Sequence, residues 1–218
     1  MKKLFGCFAA GCLVVGIATP ASAQLPGATV GLKVGLNVSD LSGDEGGTDL
    51  GFSSRTALAI GAAVAINVNP VFAFQPEVLF SQKGATDSDA GVDFALEIAY
   101  IDVPLLAKFS VPTPSSIRPV FLIGPVISFE ASCNVSVEGG GVSASDSCDD
   151  ALIPPRKSTD IGILGGAGLE IDVGPVILTF DGRYNLGLVN IDDSGDDDTS
   201  VKNRTVTGLV GVALKLPT

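Results

Sequence analysis

The 218 residues carry 13 basic and 24 acidic side chains, a net charge of −11, and no histidine or tryptophan. That acidic balance argues against a nucleic-acid partner, and the lack of His removes both a Ser-His-Asp arrangement and a histidine general base. Beyond the N-terminal run, no apolar stretch is long and charge-free enough for a transmembrane helix.

In chain order, the first element is MKKLFGCFAAGCLVVGIATPASA. Lys2 and Lys3 precede an apolar run from Leu4 to Ile17, and Ala21-Ser22-Ala23 closes it. This is the layout of a secretory signal peptide cleaved after Ala23, leaving residues 24–218 as one barrel domain. A membrane anchor is disfavoured by the short run and its Thr-Pro-Ala-Ser-Ala end. Lipidation at Cys12 would leave too short an apolar region ahead of it. Cleavage removes both lysines, so the mature chain sets 11 basic against 24 acidic residues, a charge of −13. Cys7 and Cys12 leave as well. In an exported protein, the remaining Cys133 and Cys148 are expected to form a disulfide rather than free thiols or an intermolecular bond. Closing a loop of roughly 15 residues is worth ~3 kcal/mol in the chain-entropy model.

Period-two alternation then takes over. In 30–38, Val30, Leu32, Val34, Leu36 and Val38 oppose Gly31, Lys33, Gly35 and Asn37. In 56–68, Leu58, Ile60, Val64, Ile66 and Val68 oppose Ala57, Ala59, Gly61, Ala63, Ala65 and Asn67. In 71–83, Phe72, Phe74, Val78 and Phe80 oppose Gln75, Glu77 and Ser81. In YIDVPLLAKF, residues 100–109, Ile101, Val103, Leu105 and Phe109 oppose Asp102, Pro104 and Lys108. Residues 117–130 set Phe121, Ile123, Ile127 and Phe129 against Gly124, Ser128 and Glu130. Residues 160–173 set Ile161, Ile163, Leu169, Ile171 and Val173 against Asp160, Gly162, Gly166, Gly168, Glu170 and Asp172. Residues 175–188 set Val176, Leu178, Phe180, Tyr184, Leu186 and Leu188 against Thr179, Asp181, Arg183 and Asn185. Residues 204–216 set Val206, Val210, Val212, Leu214 and Leu216 against Thr205, Thr207, Gly211 and Lys215. Eight strands of membrane-crossing length, about 9–11 residues, are therefore expected.

Two local anomalies are visible. From 93 to 100 the apolar residues Phe94, Leu96, Ile98 and Tyr100 are even-numbered, whereas from Ile101 onward they are odd-numbered. A β-bulge near Ala99-Tyr100, or an extended strand above the bilayer, would account for the change. Pro104 is the other: a closed barrel has no free edge to excuse its missing N–H, so a local irregularity is expected there.

The connections at Asn69-Pro70, Pro112–Ile117 and Gly174-Pro175 are short, whereas 39–55, 84–93, 131–159 and 190–203 are expected to be long loops. That alternation fits an even-stranded outer-membrane barrel. Sixteen of the 24 acidic residues fall in the four long segments. The polar parity also carries charges of both signs: Lys33, Lys108, Arg183 and Lys215 with Glu77, Asp102, Glu170, Asp172 and Asp181. A lipid-facing Lys or Arg near the midplane would cost ~2–4 kcal/mol. In a lumen such groups pair and hydrogen-bond. The expected fold is therefore all-β, an eight-stranded antiparallel up-and-down transmembrane barrel. A soluble periplasmic barrel with the faces reversed is the alternative.

GLKVGLNVSDLSG, YIDVPLLAKF, RPVFLIGPVISF and ILGGAGLEI together resemble the outer-membrane β-barrel domain family of small eight-stranded barrels, the so-called porin family proteins. The resemblance runs over nearly the whole mature chain and implies an eight-stranded barrel, with no defined activity. One departure is the C-terminus: such proteins commonly end in an aromatic assembly signal, and this chain ends Leu214-Lys215-Leu216-Pro217-Thr218.

Motifs for catalysis are weak. Asp181 with Glu170 could do acid/base work, but Arg183 and Lys33 on the same parity point to a structural salt-bridge network. Residues 192–198, DDSGDDD, offer oxygen ligands without the EF-hand frame, and are expected to be a solvated acidic loop. Gly139-Gly140-Gly141 lacks the strand-to-helix context of a phosphate loop. Gly165-Gly166-Ala167-Gly168 suits close packing in a narrow barrel. No cofactor or metal motif is present, and eight strands enclose only enough room for side chains. The leading expectation is a non-catalytic, monomeric outer-membrane anchor. Its direct partner is membrane lipid, and it presents acidic loops to a surface partner that the sequence does not name. The alternatives are a narrow channel for small solutes or ions and a soluble periplasmic ligand-binding barrel.

Overall fold

The computed structural model describes residues 27–45, 48–49, 53–89, 92–139, 142–148, 157–189 and 199–217. The expected signal peptide (1–23), Gly140 and Gly141, and the acidic run 192–198 lie outside these residues. The strands are β1 Ala28–Glu45, β2 Thr48–Asp49, β3 Ser53–Asn67, β4 Phe72–Asp89, β5 Val92–Ser110, β6 Ile117–Gly139, β7 Val142–Ser147, β8 Thr159–Val173, β9 Val176–Gly187 and β10 Thr199–Lys215.

Eight of them close a barrel in the order β1-β3-β4-β5-β6-β8-β9-β10, with β10 pairing back to β1, while β2 and β7 are short additions on β1 and β6. Every pairing is antiparallel, which leaves no edge along the closed wall. The stagger can be followed residue by residue. Ala28 pairs with Ile66, Ile66 with Phe74, Phe74 with Ala107, Ala107 with Ile123, Ile123 with Gly165, Gly165 with Tyr184, and Tyr184 with Val206. Val206 returns to β1 at Val38. The circuit that left residue 28 thus arrives at residue 38, a shift of ten residues. Such a shear tilts the strands and sets the lumen width.

Short turns close the end we call periplasmic. Asn69 Oδ1 accepts hydrogen bonds from the backbone N–H groups of Val71 and Phe72 at 2.9 and 2.8 Å, an Asx turn that replaces lost ladder bonds. Gly174 opens a two-residue turn between the paired Val173 and Val176 with φ of +69°, a conformation glycine adopts without a Cβ clash.

At the other end, the described parts of the segments expected to be long loops are largely strand. β4 runs to Asp89 and β5 starts at Val92; β6 continues to Gly139 and turns back as β7. The cause is that ladder hydrogen bonds need only a neighbouring backbone, not lipid. Above the bilayer both faces can be polar, so the strands persist after the apolar alternation fades.

The phase change in β5 has a specific origin. β5 itself is an unbroken extended strand, in constant register with β4 from Asp102 up to Val92. Against β6, Ala99 faces Ser132 while Tyr100 faces Glu130, so the extra residue is Ala131 on the neighbouring strand. Ile98, Tyr100 and Asp102 therefore all point into the barrel. Pro104 sits where the ladder is interrupted without a register change. The β4–β5 bridges pass from Pro76–Leu105 to Leu79–Asp102, and the β5–β6 bridges from Pro104–Val126 to Ala107–Ile123. Pro76, Pro104 and Pro125 border these gaps, each lacking the N–H that a bridge would use.

The two faces differ in chemistry. The outer face is an apolar belt including Leu32 at 70% exposure, with Val34, Ile60, Val78, Ile123, Leu169 and Val210. The inner face buries Lys33, Glu77, Lys83, Asp102, Lys108, Glu170, Asp181 and Arg183. That arrangement is the reverse of a soluble protein's and matches a barrel solvated by lipid.

Candidate functional site

The lumen is built in layers. At mid-height, Lys33 from β1, Glu77 from β4, and Asp181 and Arg183 from β9 form a closed quartet. Lys33 Nζ lies 3.0 Å from Glu77 Oε1 and 2.6 Å from Asp181 Oδ2. Arg183 donates to both oxygens of Glu77, at 2.6 and 2.9 Å, and to Asp181 at 2.8 Å. Gln75 donates a further bond of 2.7 Å to Glu77. Two cations face two carboxylates, so the layer is neutral. The Arg183 and Glu77 side chains are 1% and 0% exposed. Burial of this kind is tolerable only because each charge has a partner and hydrogen bonds besides. Glycines make the room: a Cβ on Gly168 would lie 2.6 Å from Asp181 Oδ1, and one on Gly211 would lie 2.9 Å from Lys33 Cγ.

Above the quartet, Asn37 donates to Ser81 Oγ at 2.7 Å and accepts from Thr207 at 2.8 Å. Higher still, Lys83 Nζ bonds Asp102 at 2.9 Å and lies 4.8 Å from the centroid of the Tyr100 ring. Asn203 donates to Asp160 at 2.8 Å. The outer end is apolar: Ile98 and Tyr100 pack with the Cys133–Cys148 disulfide, flanked by Leu96 and Val135. The disulfide joins facing residues with Cα atoms 5.4 Å apart, where β6 gives way to the β7 hairpin. Below the quartet, Lys108 pairs with Glu170 at 2.6 Å and Arg118 with the same carboxylate at 3.3 Å. Lys215 and Asp172 pair at the periplasmic rim.

A family model of the outer membrane protein beta-barrel domain matches residues 22–193. The chain belongs to this family. The solved structure of Neisserial surface protein A is similar at TM-score 0.51 and 20% identity, covering 87% of this chain and 97% of that one. OprG from Pseudomonas aeruginosa is similar at TM-score 0.55 and 10% identity, covering 89% of this chain and 98% of that one. Likeness at these identities speaks to fold alone. No curated protein sequence matches the chain. Family and fold together place the chain in the outer membrane, with the apolar belt against lipid.

Within this family member, the expected charges separate into four groups. Lys33, Glu77, Asp181 and Arg183 share the quartet; Asp102 belongs to the layer above; Lys108 and Glu170 to the layer below; Asp172 and Lys215 to the rim. Asp181 and Glu170, considered above as an acid/base pair, are held by different cations in different layers. Gly166 and Gly168 do lie against Arg183 and Asp181, whereas a Cβ on Gly165 would meet nothing within 4 Å. Two participants escaped the sequence analysis. Lys83 continues the odd parity of Gln75, Glu77 and Ser81 at the very end of its segment, and Arg118 stands one residue inside the start of β6. Parity would have found both, since Arg118 shares the even parity of Gly124, Ser128 and Glu130.

The disulfide can be tested directly. Replacing Cys133 and Cys148 together by Ser is expected to leave the barrel folded and detergent-resistant while loosening the β6–β7 hairpin. Pulse proteolysis on intact cells should then cleave within that hairpin faster than in wild type. Unchanged cleavage would mean that strand pairing alone holds it. The loss is bounded at ~3 kcal/mol by the loop-closure argument.

Proposed function

We propose that this chain is a non-catalytic outer-membrane anchor, exported by its cleaved N-terminal segment, that presents acidic surface strands and loops for interaction. The observation that carries the proposal is the filled lumen. The quartet bridges the barrel, an apolar layer lies above it, and each cavity flanking the quartet has a volume of about 20 Å³. That is room for about one water each, since a water needs roughly 10–15 Å³ of such space. Both carboxylates in the quartet are engaged by Lys or Arg, so neither is free to act as a general base or nucleophile.

The channel is the second reading, favoured by the polar groups that line the lumen from the Lys83–Asp102 pair down to the open periplasmic mouth. Planar-bilayer recording separates the two. The purified barrel is expected to be electrically silent. Reproducible conductance steps that disappear on altering Arg183 or Glu77 would overturn the anchor reading in favour of a channel.

A further inference from the structure

At the periplasmic mouth, cations outnumber carboxylates. Lys108, Arg118 and Lys215 face Glu170 and Asp172, all five lining one cavity of about 370 Å³. The turns around it, 68–71, 111–116 and 174–175, add no charge. In a chain with this acidic excess, a net positive vestibule is a local reversal of sign. A second cavity of about 330 Å³ on the outer flank shares Arg118 and Asp172 with it.

Arg118 is the under-used member. It has five N–H donors, but among the described residues its side chain shows one hydrogen bond, from Nη2 to Glu170 Oε2 at 3.3 Å. Its Nε is buried without a partner among the described residues. Glu170 does not depend on Arg118, because its other oxygen is held by Lys108 at 2.6 Å. Lys215 is also available: its pair with Asp172 is exposed on both sides, 40% and 30%, and such pairs contribute little to stability. A guanidinium presents parallel N–H groups that match the two oxygens of a carboxylate or phosphate. The volume of the cavity falls within the range of small-molecule sites. We propose that the vestibule binds an oxyanion, a carboxylate or phosphate group presented from the periplasm, on Arg118 with support from Lys215.

The test uses the folded full-length barrel, nitrogen-labelled in detergent micelles, titrated separately with inorganic phosphate, with the dipeptide Ala-Ala, and with its C-terminal amide. Saturable shifts are expected at the backbone amides of Thr29, Asn67 and Ser110, which line the cavity. Arg118→Gln should weaken binding about tenfold or more, the scale of a lost hydrogen bond to a charged group. Lys202→Gln, on the outer side, should leave it unchanged. Response to phosphate points to a free anion as the occupant. Response to Ala-Ala but not to its amide points to a terminal carboxylate. Either supports the proposal. No saturable shift with phosphate or the dipeptide, or unchanged affinity in Arg118→Gln, would overturn it. Should Arg118→Gln fail to fold, Arg118→Lys combined with Lys215→Gln serves in its place, with unchanged affinity again the negative result.

Discussion

Arg183→Met is expected to cost about 3–5 kcal/mol of barrel stability, the usual penalty for removing one partner of a buried ion pair. The substitution keeps most of the side-chain volume but strips three hydrogen bonds, two to Glu77 and one to Asp181. The quartet then holds one cation against two carboxylates, in a layer too deeply buried for bulk solvent to screen them. The measurement is equilibrium urea unfolding in lipid vesicles, with the heat-modifiable shift in electrophoretic mobility as a second probe. Adding Glu77→Gln in the same chain should recover a large part of the loss. The remaining Lys33–Asp181 contact of 2.6 Å is neutral by itself, and a neutral amide replaces the stranded carboxylate. Coupling of this kind is what a double-mutant cycle isolates. If Arg183→Met lies within about 1 kcal/mol of wild type, the surface-pair range, the quartet is not a buried neutral unit.

Much of this arrangement was legible before any coordinates, for a definite reason. In a membrane barrel the solvent on each side of the wall differs, so period two survives in the sequence as a chemical alternation. Lys33 between Leu32 and Val34, and Asp102 between Ile101 and Val103, declare which way they point. What alternation does not carry is depth and partner. Lys33 on β1 meets Glu77 on β4 across the intervening β3, and Asp181 on β9 across β10. Those meetings depend on the ten-residue stagger, which no local window contains. The phase change near Tyr100 shows the opposite failure. There the even residues keep facing inward, and it is the lumen that turns apolar around Ile98, Tyr100 and the disulfide. A second inward apolar patch, Leu106, Leu122, Val126 and Leu164 on β5, β6 and β8, likewise lies on the polar parity. The quartet draws instead on β1, β4 and β9, so apolar and charged groups share one inward parity, a distinction that two-state alternation has no symbol for.

The outer face makes the sharper demand, because it separates a lipid-solvated wall from one that meets water. Val34 lies at the centre of the apolar run from Val30 to Val38, and its neighbours across the ladder are Ile60 and Val210. All three are exposed on the outer face. Val34→Arg should therefore destabilise the folded barrel in vesicles by about 2–4 kcal/mol, the cost of an arginine at the midplane. Val30→Arg and Val38→Arg lie about 13 Å to either side along the strand, at ~3.4 Å per residue, less when the strand tilt is counted. They should cost progressively less, toward ~0–1 kcal/mol at the interfaces. The three values should thus form a peak over β1, read by urea unfolding of each variant in vesicles of the same lipid. A soluble barrel gives a different profile, since an arginine on a water-facing strand position ordinarily changes stability by no more than about 0.5 kcal/mol wherever it stands. Three small and equal values would therefore place water against Leu32, Val34 and Val210. A peak at Val34 requires lipid there, and with lipid outside, Lys33 has only the lumen quartet in which to stay charged.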